Sequence, residues 1–258
     1  MGGGVSDYLD LLVDPDREHE IVGAILDALR QLDDWTTLDL TDLPSHSVLH
    51  RTILTRLATS HDNCSALLLP KTREELLQHL SKRQRANLRN ARSRIQRDGG
   101  DVVELATADT LPEFLNDLFR LHASRWSLLG ETGVLAGEMV KAFHRHSAPE
   151  LLARGLLRLY RLRVGQHVVA VVYTLFERTT VFCYLQAYDP EFGHLSPGTH
   201  LMFSVMEDAI RSGMSKFDLL RGQEAYKRHW RAEIEATHRI HLARLKVAGD
   251  APSVLVAA

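Results

Sequence analysis

The stretch that decides the fold is LRLYRLRVGQHVVAVVYTLFERTTVFCYLQAY, residues 157–188. From residue 157 the side-chain pattern has a period of two, and the pairs Gly165-Gln166 and Glu177-Arg178 interrupt it as two short turns. Alternation with short turns is typical of antiparallel β-strands. The stretch therefore predicts three consecutive antiparallel strands, 157–164, 168–176 and 180–188.

Apolar residues at helical spacing surround this stretch on both sides, and Thr72 followed by Glu75 forms a capping box at the start of a long helix. The predicted helices are 18–32, 47–59, 72–98, 111–128, 138–154, 199–212 and 224–231. The other predicted strands are 35–40, 66–69, 101–106, 216–220 and 237–247. This order predicts the α+β class, with a mixed, mostly antiparallel sheet flanked by helices.

The pair Gly99-Gly100 ends the long helix and marks a domain boundary. Helix 18–32 followed by Thr37-Leu38-Asp39-Leu40 is similar to helix 199–212 followed by Lys216-Phe217-Asp218-Leu219, which predicts a duplicated unit whose first copy is partial. Chance similarity of two helix-strand units is the alternative. The predicted domains are a partial N-terminal lobe, a basic connecting helix and a C-terminal domain, at 1–70, 71–98 and 99–258.

Composition excludes several classes of protein. The 258 residues are 45% hydrophobic and 25% charged, which excludes a disordered or low-complexity chain. Two cysteines are too few for a disulfide scaffold and have no zinc spacing, so we expect free thiols, no metal and a cytoplasmic location. The longest apolar run is too short to span a membrane. The net charge of −2 gives no global attraction to DNA.

The junction between strand 180–188 and helix 199–212 is the most informative candidate site. Ser196 can cap the helix, Pro197 suits its first position, and Gly198 lets a ligand approach the backbone. The amides of Gly198, Thr199 and His200 then converge at the positive end of the helix, which suits a phosphate or pyrophosphate. The alternative is that Ser-Pro-Gly is only a good helix start.

The run FDLLRGQEAYKRHW, residues 217–230, is the second candidate. It places Asp218 and Arg221 at a strand end and Glu224, Tyr226 and Lys227 at a helix start, so five polar side chains gather at one rim. A salt-bridged corner with Trp230 in the core is the alternative.

A third candidate, His122-Ala123-Ser124-Arg125-Trp126, lies at the end of helix 111–128. His122 and Arg125 are three residues apart and share a helix face. His122 could act as a general base and Arg125 as a clamp for an anion; a satisfied core histidine is the alternative.

The helix over residues 82–97 is strongly basic. Its basic residues are Lys82, Arg83, Arg85, Arg89, Arg92, Arg94 and Arg97. Their spacing predicts positions around much of the helix, with no aromatic residues between them for stacking bases, and favours a solvated basic arm over a site for a polyanion.

The predicted hairpins, the Ser-Pro-Gly helix and the run 217–230 together resemble the acetyltransferase domain of the GNAT superfamily in cellulose- and polysaccharide-biosynthesis acetyltransferases, which are similar to Fem-type aminoacyl transferases. The resemblance covers most of residues 70–245, and residues 82–94 and 122–126 also resemble positions that this family keeps. The family's loop pattern, Gln/Arg-x-x-Gly-x-Gly/Ala, is here GHLSPG at 193–198, in which only the last glycine matches.

The resemblance implies transfer of an acyl group, acetyl in the first instance, from acyl-CoA to an amine of a small molecule or glycan precursor. It implies that the CoA pyrophosphate binds at Ser196, Gly198, Thr199 and His200. The proposed catalytic residues are Glu224 and Asp218 as carboxylates, Tyr226 as an acid and His122; the proposed substrate-binding residues are Arg125, Trp126, Arg221 and Lys227. The alternatives are Fem-type transfer of an aminoacyl group from tRNA and a catalytically silent scaffold in polysaccharide biosynthesis.

Overall fold

The computed structural model describes residues 6–32, 34–52, 58–245 and 254–257. The chain forms two compact units. The first unit comprises Met1–Cys64, Arg221–Gln223 and Ile234–Ala258, and the second comprises Ser65–Leu220 and Glu224–Glu233. The chain changes from one unit to the other four times, after residues 64, 220, 223 and 233.

Helices and strands alternate in the first and last parts of the described chain, while pairs of helices and a run of three strands lie between them. The helices are α1 Glu18–Gln31, α2 Val48–Thr52, α3 Arg73–His79, α4 Lys82–Arg97, α5 Leu111–Ser127, α6 Glu138–Ala153, α7 Pro197–Arg211 and α8 Ala225–His229. The strands are β1 Thr37–Pro44, β2 Ala58–Leu68, β3 Asp101–Leu105, β4 Leu157–Val164, β5 His167–Glu177, β6 Thr180–Tyr188, β7 Lys216–Arg221, β8 Glu233–Leu245 and β9 Val254–Ala257.

The second unit has a sheet in which β3, β4, β5 and β6 pair antiparallel in chain order. β7 then pairs with β6 in parallel. The three strands predicted from residues 157–188 are confirmed, and so is the mixed, mostly antiparallel sheet flanked by helices. The parallel pair requires a crossover, which α7 provides.

Helices cover both faces of this sheet. Along β4, Tyr160 and Leu162 belong to a core cluster shared with α4 and α7, whereas Leu157 and Leu159 belong to a cluster shared with α5 and α6. A strand with apolar side chains on both faces must be covered twice. The sheet is therefore the middle layer of three.

The first unit is built around the pairing of β1 with β8. These strands pair antiparallel, and β9 is also antiparallel to β8. The core of this unit contains Val22 of α1, Val48 and Leu49 of α2, Leu43 of β1 and Ile240 of β8. The last part of the chain therefore completes the unit that the first part begins.

The three predicted domains do not coincide with these units. Residues 65–98 belong to the second unit, because α4 packs on α7. Residues from Ile234 onward belong to the first unit, because β8 pairs with β1. The duplication of a GNAT-like lobe stays a prediction.

Two predicted helices differ from the structure. The helix predicted over 72–98 is divided into α3 and α4, because Leu80 has extended backbone and the Ser81 hydroxyl accepts a hydrogen bond from the Gln84 amide as the cap of α4. The helix predicted over 47–59 ends at Thr52 in the described residues, and Ala58 already belongs to β2. Residues 53–57 of that helix and 246–247 of the last predicted strand lie outside the described residues.

None of the helices in the described residues has the combination of length and apolar character needed to cross a bilayer. The same residues contain no cluster of histidine, cysteine and carboxylate side chains with the arrangement of a metal site.

Candidate functional site

The start of α7 follows β6 through a short turn. β6 ends at Tyr188, a 3-10 turn covers Pro190–Leu195, and α7 begins at Pro197. This confirms the predicted strand end and helix start. The side-chain cap predicted for Ser196 is wrong: its backbone is left-handed, with φ 56° and ψ 48°, and its side chain makes no capping hydrogen bond.

The hydroxyl of Ser196 instead accepts a hydrogen bond from Arg94 of α4. The distance from Nη2 of Arg94 to the hydroxyl oxygen is 3.4 Å. The Nε atom of Arg94 is buried and has no hydrogen-bond partner among the described residues. A buried polar group without a partner is unfavourable unless a ligand or water satisfies it. Arg94 therefore brings a cation to the start of α7.

Two backbone amides remain as donors at this helix start. Pro197 has no N–H, and the His200 amide donates to the Ser196 carbonyl at 3.2 Å. The predicted trio of amides is thus reduced to those of Gly198 and Thr199, since first-turn amides have no acceptor inside a helix. Both lie at the positive end of the helix dipole, where an anion is stabilised.

Tyr188 and Arg125 lie beside the same helix start. A Cβ atom added to Gly198 would lie 3.6 Å from the Tyr188 ring, which is an ordinary contact. The guanidinium carbon of Arg125 lies 5.5 Å from the centre of that ring. Stacking on an aromatic face holds an arginine in place while leaving its N–H groups free to bind. The predicted clamp, Arg125, is therefore next to the predicted anion site.

The strands β6 and β7 separate at the same end of the sheet. Their parallel pairing covers Thr180–Phe182 and Lys216–Asp218, while β6 continues to Tyr188. The pairing of β6 with β5 shifts register at Cys183 and Leu185, which makes Tyr184 the extra residue of a β-bulge. A bulge bends its strand and increases the local twist. The result is an opening between two adjacent strands.

Lys227 of α8 contacts the backbone of β7 near the end of that strand. Lys227 of α8 is 2% exposed, and its ammonium donates to the Leu220 carbonyl at 3.0 Å and pairs with the Glu224 carboxylate at 3.0 Å. Leu220, the second-last residue of β7, has a left-handed backbone with φ 58°. Lys227 therefore supplies a hydrogen bond to a carbonyl beyond the last pair of β7 with β6.

The two carboxylates of this segment have different surroundings. Asp218 is 1% exposed, accepts the Leu220 amide at 2.8 Å and lies 3.6 Å from the ammonium of Lys216. The side chain of Glu224 is 51% exposed. Asp218 is thus occupied in holding the end of β7, whereas Glu224 is accessible to a substrate.

Tyr226 reaches β6 from α8. Its hydroxyl is hydrogen-bonded by the Gln186 side chain, and burial, with the nearby Cys183 and Glu224, raises the pKa of Tyr226 well above its ordinary value. The phenol therefore keeps its proton at neutral pH. Burial also raises the pKa of the Cys183 thiol to about 12, so this thiol is not ionised.

His122 is buried in α5, one turn before Arg125. It is 3% exposed, its ring lies 5.8 Å from that of Trp126, and a Cβ atom on Gly133 would fall only 2.4 Å from it. Burial, and less so the charge of Arg125, lowers the pKa of His122 to about 4. The imidazole is therefore neutral at pH 7 and shielded from solvent.

Arg221 belongs to the first unit. Its guanidinium donates to Asp42 at 3.2 Å and lies 3.9 Å from each of Asp7 and Asp62. Three carboxylates therefore hold this predicted substrate-binding residue inside its own unit.

The structure brings most of the other predicted residues to one end of the second unit's sheet. At the start of α7 are Ser196, Gly198, Thr199, His200 and Arg125, and on α8 or just before it are Glu224, Tyr226 and Lys227. Sequence reasoning missed Tyr188 and Gln186, and it counted Arg94 only as one of several basic residues. Tyr188 could have been identified from the sequence, because it is an aromatic residue at the end of the predicted strand 180–188.

A family model described as an acetyltransferase (GNAT) domain matches residues 82–228 of this chain. No curated protein sequence is a significant match.

Several solved structures share the fold. The crystal structure of FemX is similar with a TM-score of 0.64 and 12% identity, over 90% of this chain and 79% of that chain. The C-terminal domain of a putative lysylphosphatidylglycerol synthetase from Agrobacterium fabrum has a TM-score of 0.64 and 14% identity, over 90% of this chain and 75% of that one. L-PGS from Bacillus licheniformis has a TM-score of 0.59 and 14% identity, over 91% and 77%.

Proposed function

The chain belongs to the GNAT acetyltransferase-domain family, and on that premise we propose that it is an N-acyltransferase that transfers an acyl group from acyl-CoA to an amine. The acyl group proposed first is acetyl. The proposed acceptor is the amine of a small molecule or glycan precursor, in the cytoplasm.

The main support for this proposal is the opening between β6 and β7, which lies beside the start of α7. A thioester donor needs a channel for its acyl end and a site for its phosphates. The opening offers unpaired strand edges on which a thioester can lie, and the amides of Gly198 and Thr199 offer donors for a diphosphate. Both features lie at the end of the same strand, β6.

Two arginines compensate for the departure of the loop from the family pattern. The loop GHLSPG has no basic residue at the position where the family pattern has Gln or Arg. Arg94 reaches the loop through Ser196, and Arg125 reaches the same place through Tyr188. Guanidinium groups bind phosphate oxygens in a bidentate manner. The proposal therefore assigns charge neutralisation of the donor to these two side chains.

In the proposed reaction the amine nitrogen attacks the thioester carbonyl carbon, and a C–N bond replaces the C–S bond. A backbone amide of β6 in the opening stabilises the developing oxyanion. Glu224, which is exposed and next to Lys227, accepts the proton that the nitrogen loses. Tyr226 keeps its proton at neutral pH and, as the proposed acid, donates a hydrogen bond to the thiolate as the C–S bond breaks.

Asp218, His122 and Trp126 have supporting roles in this proposal. Asp218 fixes the end of β7 through the Leu220 amide. His122 packs on Trp126 one turn before Arg125 and helps to set the position of that arginine. These side chains position others, because burial keeps the carboxylate and the imidazole away from a substrate.

Transfer of an aminoacyl group from tRNA is a second candidate. It is favoured by the fold shared with FemX and with lysylphosphatidylglycerol synthetases and by the basic residues of α4. The two donors differ in charge. Binding of tRNA weakens steeply between low and moderate salt, because many counterions are released, whereas one CoA responds less.

A thermal-shift series with acetyl-CoA, longer acyl-CoAs and free CoA tests the proposal. A ligand at 100 times its Kd stabilises the folded protein by about 2.7 kcal/mol. We expect a clear rise in Tm with acetyl-CoA that persists at moderate salt. No rise with any CoA compound would contradict the proposal. A rise with tRNA alone would favour the second candidate, and no rise with either would favour the silent scaffold.

A further inference from the structure

β3 is an edge strand of the second unit's sheet. It pairs with β4 on one side, and within the residues that the structure describes no strand pairs with its other side. The sheet of this unit runs from β7 through β6, β5 and β4 to β3, so β3 lies at the edge away from the opening between β6 and β7. An edge strand exposes a row of N–H and C=O groups to which another strand can bond.

The backbone groups that point away from β4 belong to alternate residues of β3. The Ala106 amide donates to the Leu159 carbonyl at 2.9 Å, so Ala106 and every second residue before it bond to β4. In an antiparallel ladder, the residues between these direct their N–H and C=O groups away from the partner strand. Val103 and Leu105 therefore present donors and acceptors along the free edge.

Apolar side chains are exposed on both faces of this edge. Val102 is 55% exposed, Val103 39% and Leu105 47%. Successive side chains point to opposite faces of a sheet, so Val102 lies on one face and the other two on the opposite face. An unprotected apolar edge is a site for pairing with another chain.

The usual devices that protect an edge strand are a lysine, a proline, a bulge or an unpaired inward charge. The five residues of β3, DVVEL, contain neither lysine nor proline, and their register with β4 is continuous. The Glu104 carboxylate is already paired with Arg161 of β4 at 2.6 Å. Nothing in the strand therefore opposes the addition of another strand.

The strand is complementary to itself about a two-fold axis at Val103. In that antiparallel register Val103 lies opposite Val103 of the second copy, and Leu105 lies opposite residue 101. The outward N–H and C=O groups of one copy then meet those of the other, so both sets gain partners. Two β-branched side chains opposite each other also pack well on a pleated surface.

The charges match in the same register. Val102 lies opposite Glu104 of the second copy and pairs with Arg163 on its other side. At two strand spacings, about 10 Å separates the backbones of Arg163 and that Glu104, which two long side chains can span. The Arg163 side chain is 29% exposed, and it already lies 3.4 Å from Glu104 of its own chain. This charge complementarity favours a second copy over a strand of unrelated sequence.

We propose that β3 pairs antiparallel with β3 of a second copy of this chain, about a two-fold axis at Val103. The pairing joins the second-unit sheets of the two copies. A two-fold contact uses the same surface on both copies and closes at two. The opening between β6 and β7 lies at the other edge of this sheet, so the pairing does not involve the proposed acyl-donor site.

Sedimentation equilibrium of the full chain over a series of concentrations tests the proposal. A strand of five residues makes a small contact, and contacts that bury less than about 1,200 Å² are usually weak. We therefore expect a monomer–dimer equilibrium with a Kd in the micromolar range and no larger species.

The variants use the fact that Val103 faces itself across the axis. Val103→Lys and Val103→Glu each place two like charges opposite each other, so each variant alone should dimerise at least tenfold more weakly. An equimolar mixture places a lysine opposite a glutamate and should recover a dimer with one copy of each variant. Val134→Lys, at an exposed valine of the second unit outside β3, is the control and should dimerise like the unmodified protein.

Recovery in the mixture also shows that both variants are folded. A monomer at every concentration would overturn the proposal and leave the edge to a strand of another protein. An unchanged dimer in Val103→Lys would place the contact on another surface, and a mixture that stays monomeric would contradict the register at Val103. Species larger than a dimer would contradict the closed two-fold contact.

Discussion

The ammonium of Lys227 donates a hydrogen bond to the carbonyl oxygen of Leu220 at 3.0 Å. Leu220 lies at the end of β7, just past the point where the pairing with β6 stops at Asp218. A strand that leaves its neighbour exposes backbone groups that need new partners. Lys227 is the hydrogen-bond donor for one such group, the Leu220 carbonyl. β7 can therefore separate from β6 without leaving this carbonyl unsatisfied.

The first prediction concerns this hydrogen bond. Lys227→Met keeps the length of the side chain but removes the donor, which leaves the Leu220 carbonyl without it. Loss of a partner for a buried polar group costs about 1–3 kcal/mol. Denaturant unfolding should show that loss in Lys227→Met and almost none in Lys71→Met, where the side chain is exposed. Equal stability of the two variants would contradict this role.

The second prediction concerns Arg94. Arg94→Gln removes the cation that reaches Ser196, so acetyl-CoA should bind about tenfold more weakly, or about 1.4 kcal/mol. Arg97→Gln removes an exposed arginine from the same helix and should bind as tightly as the unmodified protein. Fluorescence or calorimetric titration of both variants gives the comparison. A loss in both would indicate only a change in overall charge.

The third prediction is a pH dependence of stability from His122. Burial lowers its folded-state pKa to about 4 from an ordinary value of 6.5. The unfolded chain therefore takes up the proton at a higher pH than the folded protein does. Stability from the neutral imidazole is complete above pH 6.5 and is lost as the pH falls towards 4.

The measurement compares unfolding of the unmodified protein with that of His122→Gln at several pH values. The advantage of the unmodified protein should shrink between pH 6.5 and 4. His146→Gln, at an exposed histidine, is the control and should follow the unmodified protein. A constant difference between the His122 variant and the unmodified protein would show that the histidine titrates alike in both states.

Much of this site follows from local sequence. The helix start at Pro197 and the strands from 157 to 188 were predicted correctly, because a proline at the first helical position and an alternating pattern are local signals. The conformation of Ser196 was not, because its left-handed backbone and its bond to Arg94 depend on α4, about a hundred residues earlier.

The remaining differences also come from contacts that are distant in sequence. The face of α4 that carries Arg85, Arg89 and Arg92 is selected by its packing on α7. The membership of β8 in the first unit comes from its pairing with β1. The spacing of residues within one helix or strand contains no information about such partners.

The fourth prediction separates binding from catalysis. Glu224→Gln removes the proposed base and keeps the size of the side chain, so turnover with an amine acceptor should fall by about 10²-fold or more while the Kd for acetyl-CoA hardly changes. Glu233→Gln, also at an exposed carboxylate in the second unit, should keep full turnover. Steady-state release of the CoA thiol measures the rates. Unchanged turnover in Glu224→Gln would assign the base to another group.

The fifth prediction concerns Gly198, whose amide and open surface define the proposed phosphate site. Gly198→Val adds a branched side chain beside Tyr188, where a Cβ atom meets only an ordinary contact, so the protein should still fold. The side chain would cover the first-turn amides and weaken acetyl-CoA binding at least tenfold, or about 1.4 kcal/mol. Gly193→Val is the control, since a Cβ atom there meets nothing within 4 Å.

Calorimetric titration of acetyl-CoA into the unmodified protein, Gly198→Val and Gly193→Val is the most direct test of an acyl-CoA donor bound at the start of α7. We expect saturable one-to-one binding to the unmodified protein and to Gly193→Val, with at least a tenfold higher Kd for Gly198→Val. Equal affinity in all three would place the donor elsewhere on the molecule, and no binding to the unmodified protein would contradict the acyl-CoA donor itself.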